Sequence, residues 1–188
     1  MQLAEPVARQ AVELDPDDAT ALGVHSVAMS FSGFRDAAVQ QAYRAIAINP
    51  NCAYAYHALG WSSLFRGDWK TAREAFETSL RLNPRDPMNQ IGPVGWWIAC
   101  YLGHDYEHAL TAARRALAVN PNFPMAHRWV AAALGQLDNR TEAMLALRRA
   151  KELDPSDLDA FVQRPPQWLR PEDHRHVLDG LRKAGWQG

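Results

Sequence analysis

Cysteine is scarce in this sequence: Cys52 and Cys100 are the two in 188 residues, far apart and in no CxxC pair. Such sparse usage excludes a disulfide-stapled scaffold and a cysteine zinc site, and it fits a reducing compartment. An excess of one charge is also missing. The formal net charge is -1 at pH 7, so no basic field draws in nucleic acid or an anionic lipid surface. The most apolar stretch, Val94 to Leu102, falls far short of the roughly 20 residues that a membrane-spanning helix needs. The opening residues, Met1 to Pro6, show neither the basic start nor the apolar run of an export signal. These absences predict a cytoplasmic protein with no nucleic-acid and no membrane partner. Glycine-rich phosphate loops and nucleophile–base arrangements are lacking as well, which argues against an enzyme and against a bound cofactor.

What the sequence does have is a ruler. Prolines stand at 16, 50, 84, 121 and 155, giving spacings of 34, 34, 37 and 34. Each follows Asp or Asn: Asp15, Asn49, Asn83, Asn120 and Asp154. Two residues before each proline is an aliphatic: Leu14, Ile48, Leu82, Val119 and Leu153. Five before stand Ala11, Ala45, Ser79, Ala116 and Ala150. Twelve before, each is alanine: Ala4, Ala38, Ala72, Ala109 and Ala143. A small residue at fixed spacing lets two helices come to the short end of the usual separation of about 8–10 Å. Asp/Asn-Pro stops a helix, because proline disfavours helical geometry before it and lacks the amide to continue. A period thus holds a helix, a turn, a second helix and a stop.

Within the period at 51–84 the first helix carries Tyr56, Leu59, Gly60 and Ser63 on one face. Leu59-Gly60 matches the Leu-Gly step of the W-x2-L-G-x2-Y pattern, with Tyr56 at the tryptophan, and Ala72 with Phe76 matches A-x3-F. On these residues and this period the chain resembles tetratricopeptide repeats. The resemblance implies an all-α fold, a right-handed α-solenoid of antiparallel helix hairpins. The expected organisation is a single array over 1–188: a second helix at 1–16, hairpins at 17–50, 51–84, 85–121 and 122–155, and a cap at 156–188. Helices are expected at 3–14, 19–32, 35–48, 53–66, 69–82, 90–102, 105–119, 124–136 and 139–153, with Gly33 and Gly67 in tight turns. Three extra residues fall at 86–89 and predict a changed repeat-to-repeat rotation there.

The two ends differ. At the start, Leu3, Val7, Ala11 and Leu14 form an apolar face with no preceding helix to meet it. Repeat arrays need polar caps, so this face predicts either a piece of a longer protein or pairing into a homodimer. At the other end, residues 158–163 begin a first helix that Arg164-Pro165-Pro166 breaks. A last helix from Pro171 to Ala184 buries Val177, Leu178, Leu181 and Ala184 as a cap, and Gly185 closes it. The stretches Arg170-Pro-Glu-Asp173 and Leu178 to Gly185 resemble the tetratricopeptide region of bacterial signalling proteins. In those proteins the region follows class III adenylate cyclase or winged-helix regulator domains.

Chemistry-bearing clusters are few. His104, Glu107 and His108 have the H-x-x-E-H spacing of a zinc motif. The ruler, however, puts His104 at the Gly33/Gly67 turn, so repeat structure accounts for the segment without a metal. His174 and His176 are expected on the surface, pointing different ways. Arg114-Arg115 and Arg148-Arg149 with Lys151 recur near helix C-termini, where they complement the dipole on a solvated face.

The helix at 53–66 has a second stripe, Tyr54, His57, Ala58, Trp61 and Phe65, apart from its core stripe. By the resemblance, such positions line a concave groove, continued by Ile91, Val94, Ile98 and Tyr101 and then Met125, Arg128, Trp129 and Ala132. The expectation is an aromatic trough with one cation at its edge, receiving a protein or peptide partner. Trp61 and Trp129 would be hot spots worth about 2 kcal/mol or more each. The competing expectation is that neighbouring helices, or the segment 163–170 with Trp168 and Leu169, fill the trough. The Lys/Asn/Arg clamp of chaperone-tail binders is missing, since His57, Trp61, Gly95, Met125 and Trp129 stand at the matching positions.

Overall fold

A computed structural model describes residues 4–84 and 94–187, and every regular element in them is a helix. They run α1 Ala4–Leu14, α2 Ala19–Phe31, α3 Arg35–Ile48, α4 Ala53–Arg66, α5 Trp69–Leu82, α6 Val94–Leu102, α7 Tyr106–Val119, α8 Pro124–Gln136, α9 Arg140–Leu153, α10 Pro155–Gln163 and α11 Pro171–Lys183. The bounds follow the sequence expectation to within a residue or two, apart from α10, which starts at Pro155. There Pro155 suits the first helical turn and the Asp154 side chain accepts from the Asp157 amide at 3.0 Å. The chain divides into two compact units, Met1–Asp86 and Pro87–Gly188, a division that falls in the stretch holding the three extra residues. The expected helix start at 90, Leu3, Ile91 and the rotation at 86–89 lie outside the described residues.

The ruler's acidic or amide residue does more than precede a proline. Asp15, Asn49 and Asn120 each accept, through a side-chain oxygen, the amide two residues on, at 3.2, 3.0 and 3.2 Å. The side chain bridges the proline and fixes the turn. At the other corner of each hairpin the chain turns left-handed at Gly33, Gly67, His104 and Asp138, with φ of 91°, 88°, 63° and 57°. Those four stand at one place in the period, so two hairpins hold a side chain in the conformation that glycine takes more easily. The second helices α5, α7 and α9 start on side-chain caps: Asp68 accepts from Thr71, Asp105 from His108 and Asn139 from Glu142.

In the first unit α2 and α3 pack together, and α4 lies on both and pairs with α5. Leu22 with Ala19, Ala45 and Ala55, and Val39 with Ala42, Leu59 and Ala75, form its core. A Cβ at Gly60 would stand 2.7 Å from the Phe76 ring, so the Leu-Gly step is what lets α4 close on α5. Between α2 and α4 the Ser26 hydroxyl meets Ser62 at 2.7 Å and donates to the Ala38 carbonyl oxygen at 2.8 Å, and Ser30 reaches Ser62 at 3.1 Å.

In the second unit α6 pairs with α7 and α8 with α9, and α11 lies on α8. The expected face of α11, Val177, Leu178, Leu181 and Ala184, is buried. The crossing is close because two glycines meet. A Cβ at Gly180 would come within 2.6 Å of the Ala132 carbonyl oxygen and also strike the Tyr101 hydroxyl, and a Cβ at Gly135 would meet the Gly180 backbone. Gly180→Ala is therefore expected to push α11 off α8 and lower stability by about 1–3 kcal/mol, measured as the midpoint of urea unfolding. An unchanged midpoint would mean that the crossing has room to spare.

Candidate functional site

The second stripe of α4 divides between two neighbours. Phe65 and Ala58 are fully buried, and the Phe65 ring meets Phe31 of α2 edge-on at 4.7 Å. Trp61 and His57 turn toward α5, packing on Phe76 at 5.6 and 5.8 Å, and the Trp61 indole N–H donates to His57 Nε2 at 3.1 Å. Both stay half-buried. Tyr54 is exposed at 36% and forms one wall of a cleft of about 260 Å³, whose other walls are Ala4, Val24, Val27, Ala28 and Phe31. Val24 is exposed at 41%. Val24, Val27 and Phe31 stand 34 residues before Ala58, Trp61 and Phe65. Sequence reading missed them, although the ruler alone would have found them.

The second unit treats the matching stripe differently. Ile98, Tyr101 and Trp129 are buried, Trp129 at 2% exposure, so they form core and present no surface to a partner. Tyr101 lies edge-on to Trp129 at 5.2 Å and its hydroxyl donates to the His176 carbonyl oxygen on α11 at 3.2 Å. Burial pushes the Tyr101 phenol far above its ordinary pKa. Arg128, expected at the trough's edge, is 5% exposed: it pairs with Asp157 and lies 4.2 Å over the Phe161 ring. With Met125 it lines a cleft of about 350 Å³, completed by Asp157, Ala160, Phe161, Arg164, Pro166 and Trp168. The segment after α10 thus walls the cleft beside Met125 and Arg128, and Leu169 is buried.

The histidines go elsewhere than expected. His174 is buried and its Nε2 donates to the Phe161 carbonyl oxygen at 2.7 Å. His176 is half-buried, its ring stacked on His104 at 4.5 Å, and the Tyr106 hydroxyl reaches both rings, at 2.7 Å to His104 and 2.9 Å to His176. The left-handed turn at His104 delivers its ring to the cap. His108 points away and bonds Asp105 at 2.8 Å, so the H-x-x-E-H spacing does not gather its two histidines. Among the described residues no group of three or more His, Cys, Asp or Glu is placed to hold a metal ion. Arg114, Arg115, Arg148, Arg149 and Lys151 are exposed as expected, with Arg114 paired to Glu142. No helix of the described residues is long and apolar enough to cross a membrane.

Helix hairpins on a 34-residue proline ruler, closed through Leu-Gly and A-x3-F steps, are similar to tetratricopeptide repeats. Residues 53–86 and 101–157 each match a family model of that description, Tetratricopeptide repeat. The fold is that of solved tetratricopeptide solenoids. One is YrrB, described as a TPR protein with an unusual peptide-binding site. It is 22% identical with a TM-score of 0.65, over 94% of this chain and 90% of that one. A MamA structure is 16% identical with a TM-score of 0.66, over 82% of this chain and 89% of that one. MamA from residue 41 to its end, from Desulfovibrio magneticus RS-1, is 18% identical with a TM-score of 0.66, over 90% and 94%. No curated protein matches in sequence.

The histidine stack ties the cap to solution pH. Burial first, and then the neighbouring His104, hold the His176 imidazole below its ordinary pKa, with Asp173 and Asp179 opposing and Lys183 assisting. A group with a depressed folded pKa must lose proton affinity on folding. Stability is thus whole above the unfolded value of about 6.5 and falls as pH drops from there through the folded pKa. Amide hydrogen exchange in α11 should quicken between about pH 7 and pH 5 relative to α4, and His176→Gln should flatten that difference. Equal acceleration in both helices would remove the cap-specific account.

Proposed function

We propose that this chain is a non-catalytic protein-interaction module whose inner helix faces receive an apolar segment of a partner protein. The observation that carries the reading is the open cleft of the first unit, in which apolar side chains of α2 and α4, Val24 and Tyr54 foremost, remain in solvent. Helices usually spend such side chains on a neighbour, and an apolar cleft left open is a typical docking surface. Tyr54 with Val24, Val27 and Phe31 forms the floor and walls, and His57, Trp61 and Phe65 form the aromatic row beside it. In the second unit Met125 and Arg128 face their own cleft, while Ile98, Tyr101 and Trp129 stiffen the helices behind. Tetratricopeptide repeats commonly serve as interaction elements, and the structurally similar YrrB is described as carrying a peptide-binding site.

An array of randomised octapeptides probed with the labelled chain should enrich apolar sequences. Val24→Asp should abolish that class, and Trp61→Ala should weaken it by about 2 kcal/mol, roughly thirtyfold. Trp129→Ala is unsuited as a binding probe, because truncating so buried an indole costs about 3–5 kcal/mol of fold stability. Apolar enrichment that survives Val24→Asp, in a protein with unchanged melting, would sink the assignment.

A second reading, self-association, is favoured by α1. Ala4, Val7, Ala11 and Leu14 are exposed with spacings of three, four and three, Val7 at 65% and Leu14 at 82%. That spacing is a two-helix seam in which the alanines of one copy face Leu14 and Val7 of an antiparallel second copy. In a larger signalling protein of the adenylate cyclase or winged-helix regulator kind, this pairing would bring the attached domains together. Light scattering across a concentration series should then show a dimer that Leu14→Asp dissolves. A monomer at every concentration would leave α1 without this role.

A further inference from the structure

The cleft of the second unit holds charge that an apolar docking groove does not need. Arg128 sits at its floor, 5% exposed, and one guanidinium nitrogen is committed to Asp157. A guanidinium carries five N–H donors in a fixed fork, so one carboxylate does not exhaust it. The Arg128 Nε is buried without a hydrogen-bond partner. Arg164, at the end of α10, also lines the cleft and is exposed. Among the described residues it has no ion-pair partner. Two guanidiniums therefore share one cleft with a single carboxylate.

The other walls are apolar: Met125, Ala160, Phe161, Pro166 and Trp168. The volume, about 350 Å³, suits one or two side chains and lies at the small end of ligand clefts, which run from about 300 to 1,000 Å³. We infer that this cleft takes a short partner segment in which an Asp or Glu adjoins a large apolar residue. The carboxylate is shared by Arg128 and Arg164, and the apolar side chain lies on Phe161, Met125 and Trp168. The inference rests on the proposed interaction role and names the chemistry of one of its sites. An incoming cation would have to pass two guanidiniums to reach a carboxylate already engaged, whereas an anion meets both in an apolar surround that strengthens the attraction. Burial lowers the Arg128 pKa and Asp157 opposes that shift, consistent with a guanidinium held charged at a desolvated floor. Neither Arg128 nor Arg164 stands at a position matching the chaperone-tail clamp, so the segment expected here need not be a chain terminus.

The test uses the full chain on an array of randomised octapeptides at low and raised salt. A class with Asp or Glu beside Leu, Phe or Trp should appear and weaken as salt rises. Arg164→Glu, an exposed change, should reduce that class by at least about tenfold, while Val24→Asp should leave it in place. Enrichment of Lys or Arg, absence of an acidic class, or acidic binding indifferent to Arg164→Glu would overturn the inference. An apolar class lost in Val24→Asp with no acidic class beside it would leave the interaction role standing and this site refuted. No enrichment of either class would refute both.

Discussion

Helices in this chain come together where side-chain bulk is missing, and the rest of the structure follows from that. Ala38, Ala72 and Ala143, one row of the ruler, are fully buried, as are Ala45 and Ala116 of the other. Gly60 admits the Phe76 ring, and Gly135 with Gly180 admits a whole helix backbone. Close approach maximises dispersion contact along a narrow stripe of each helix, and the stripe recurs because the period recurs. Proline and its Asp/Asn neighbour only bring the next helix back to the same place.

A narrow packing stripe leaves each first helix with a further apolar face to dispose of, and the two units do so differently. In the first, α2 and α4 share an open cleft between Tyr54 and Val24. In the second, α11 lies across α8 and the matching residues Ile98, Tyr101 and Trp129 become core. Val24 and Trp129, each 26 residues before the proline that ends its period, thus serve as surface in one unit and interior in the other. What differs is the presence of a covering helix, and that depends on Gly180, 45 residues after Gly135 in sequence.

The cap is held by polar contacts as well as by Val177 and Leu181. Gln136 donates to the His176 carbonyl oxygen at 3.3 Å and to Asp179 at 3.2 Å, and Lys183 donates back to Gln136 at 2.8 Å. Arg170 grips Asp173 at 2.7 Å at the start of α11. Asp173 is 3% exposed and must be matched before it can be buried, since an unmatched buried group costs about 1–3 kcal/mol. Such matching fixes the helix in one register.

By itself the sequence determined the periodic features: the helices, their order, the hairpin turns and the small-residue contacts. Each is set by residues within one period, and repetition turned five weak local signals into one strong one. It also placed the stripe Tyr54, His57, Trp61 and Phe65 on one face of α4, because helical spacing alone decides that. The tertiary structure alone decided which of those residues meet water. Val24 and Tyr54 stay exposed, Trp129 and Arg128 are enclosed, and His104 stacks on His176 across more than half of the second unit's sequence. Exposure depends on what another segment covers, and the spacing within a helix carries no record of its distant neighbours.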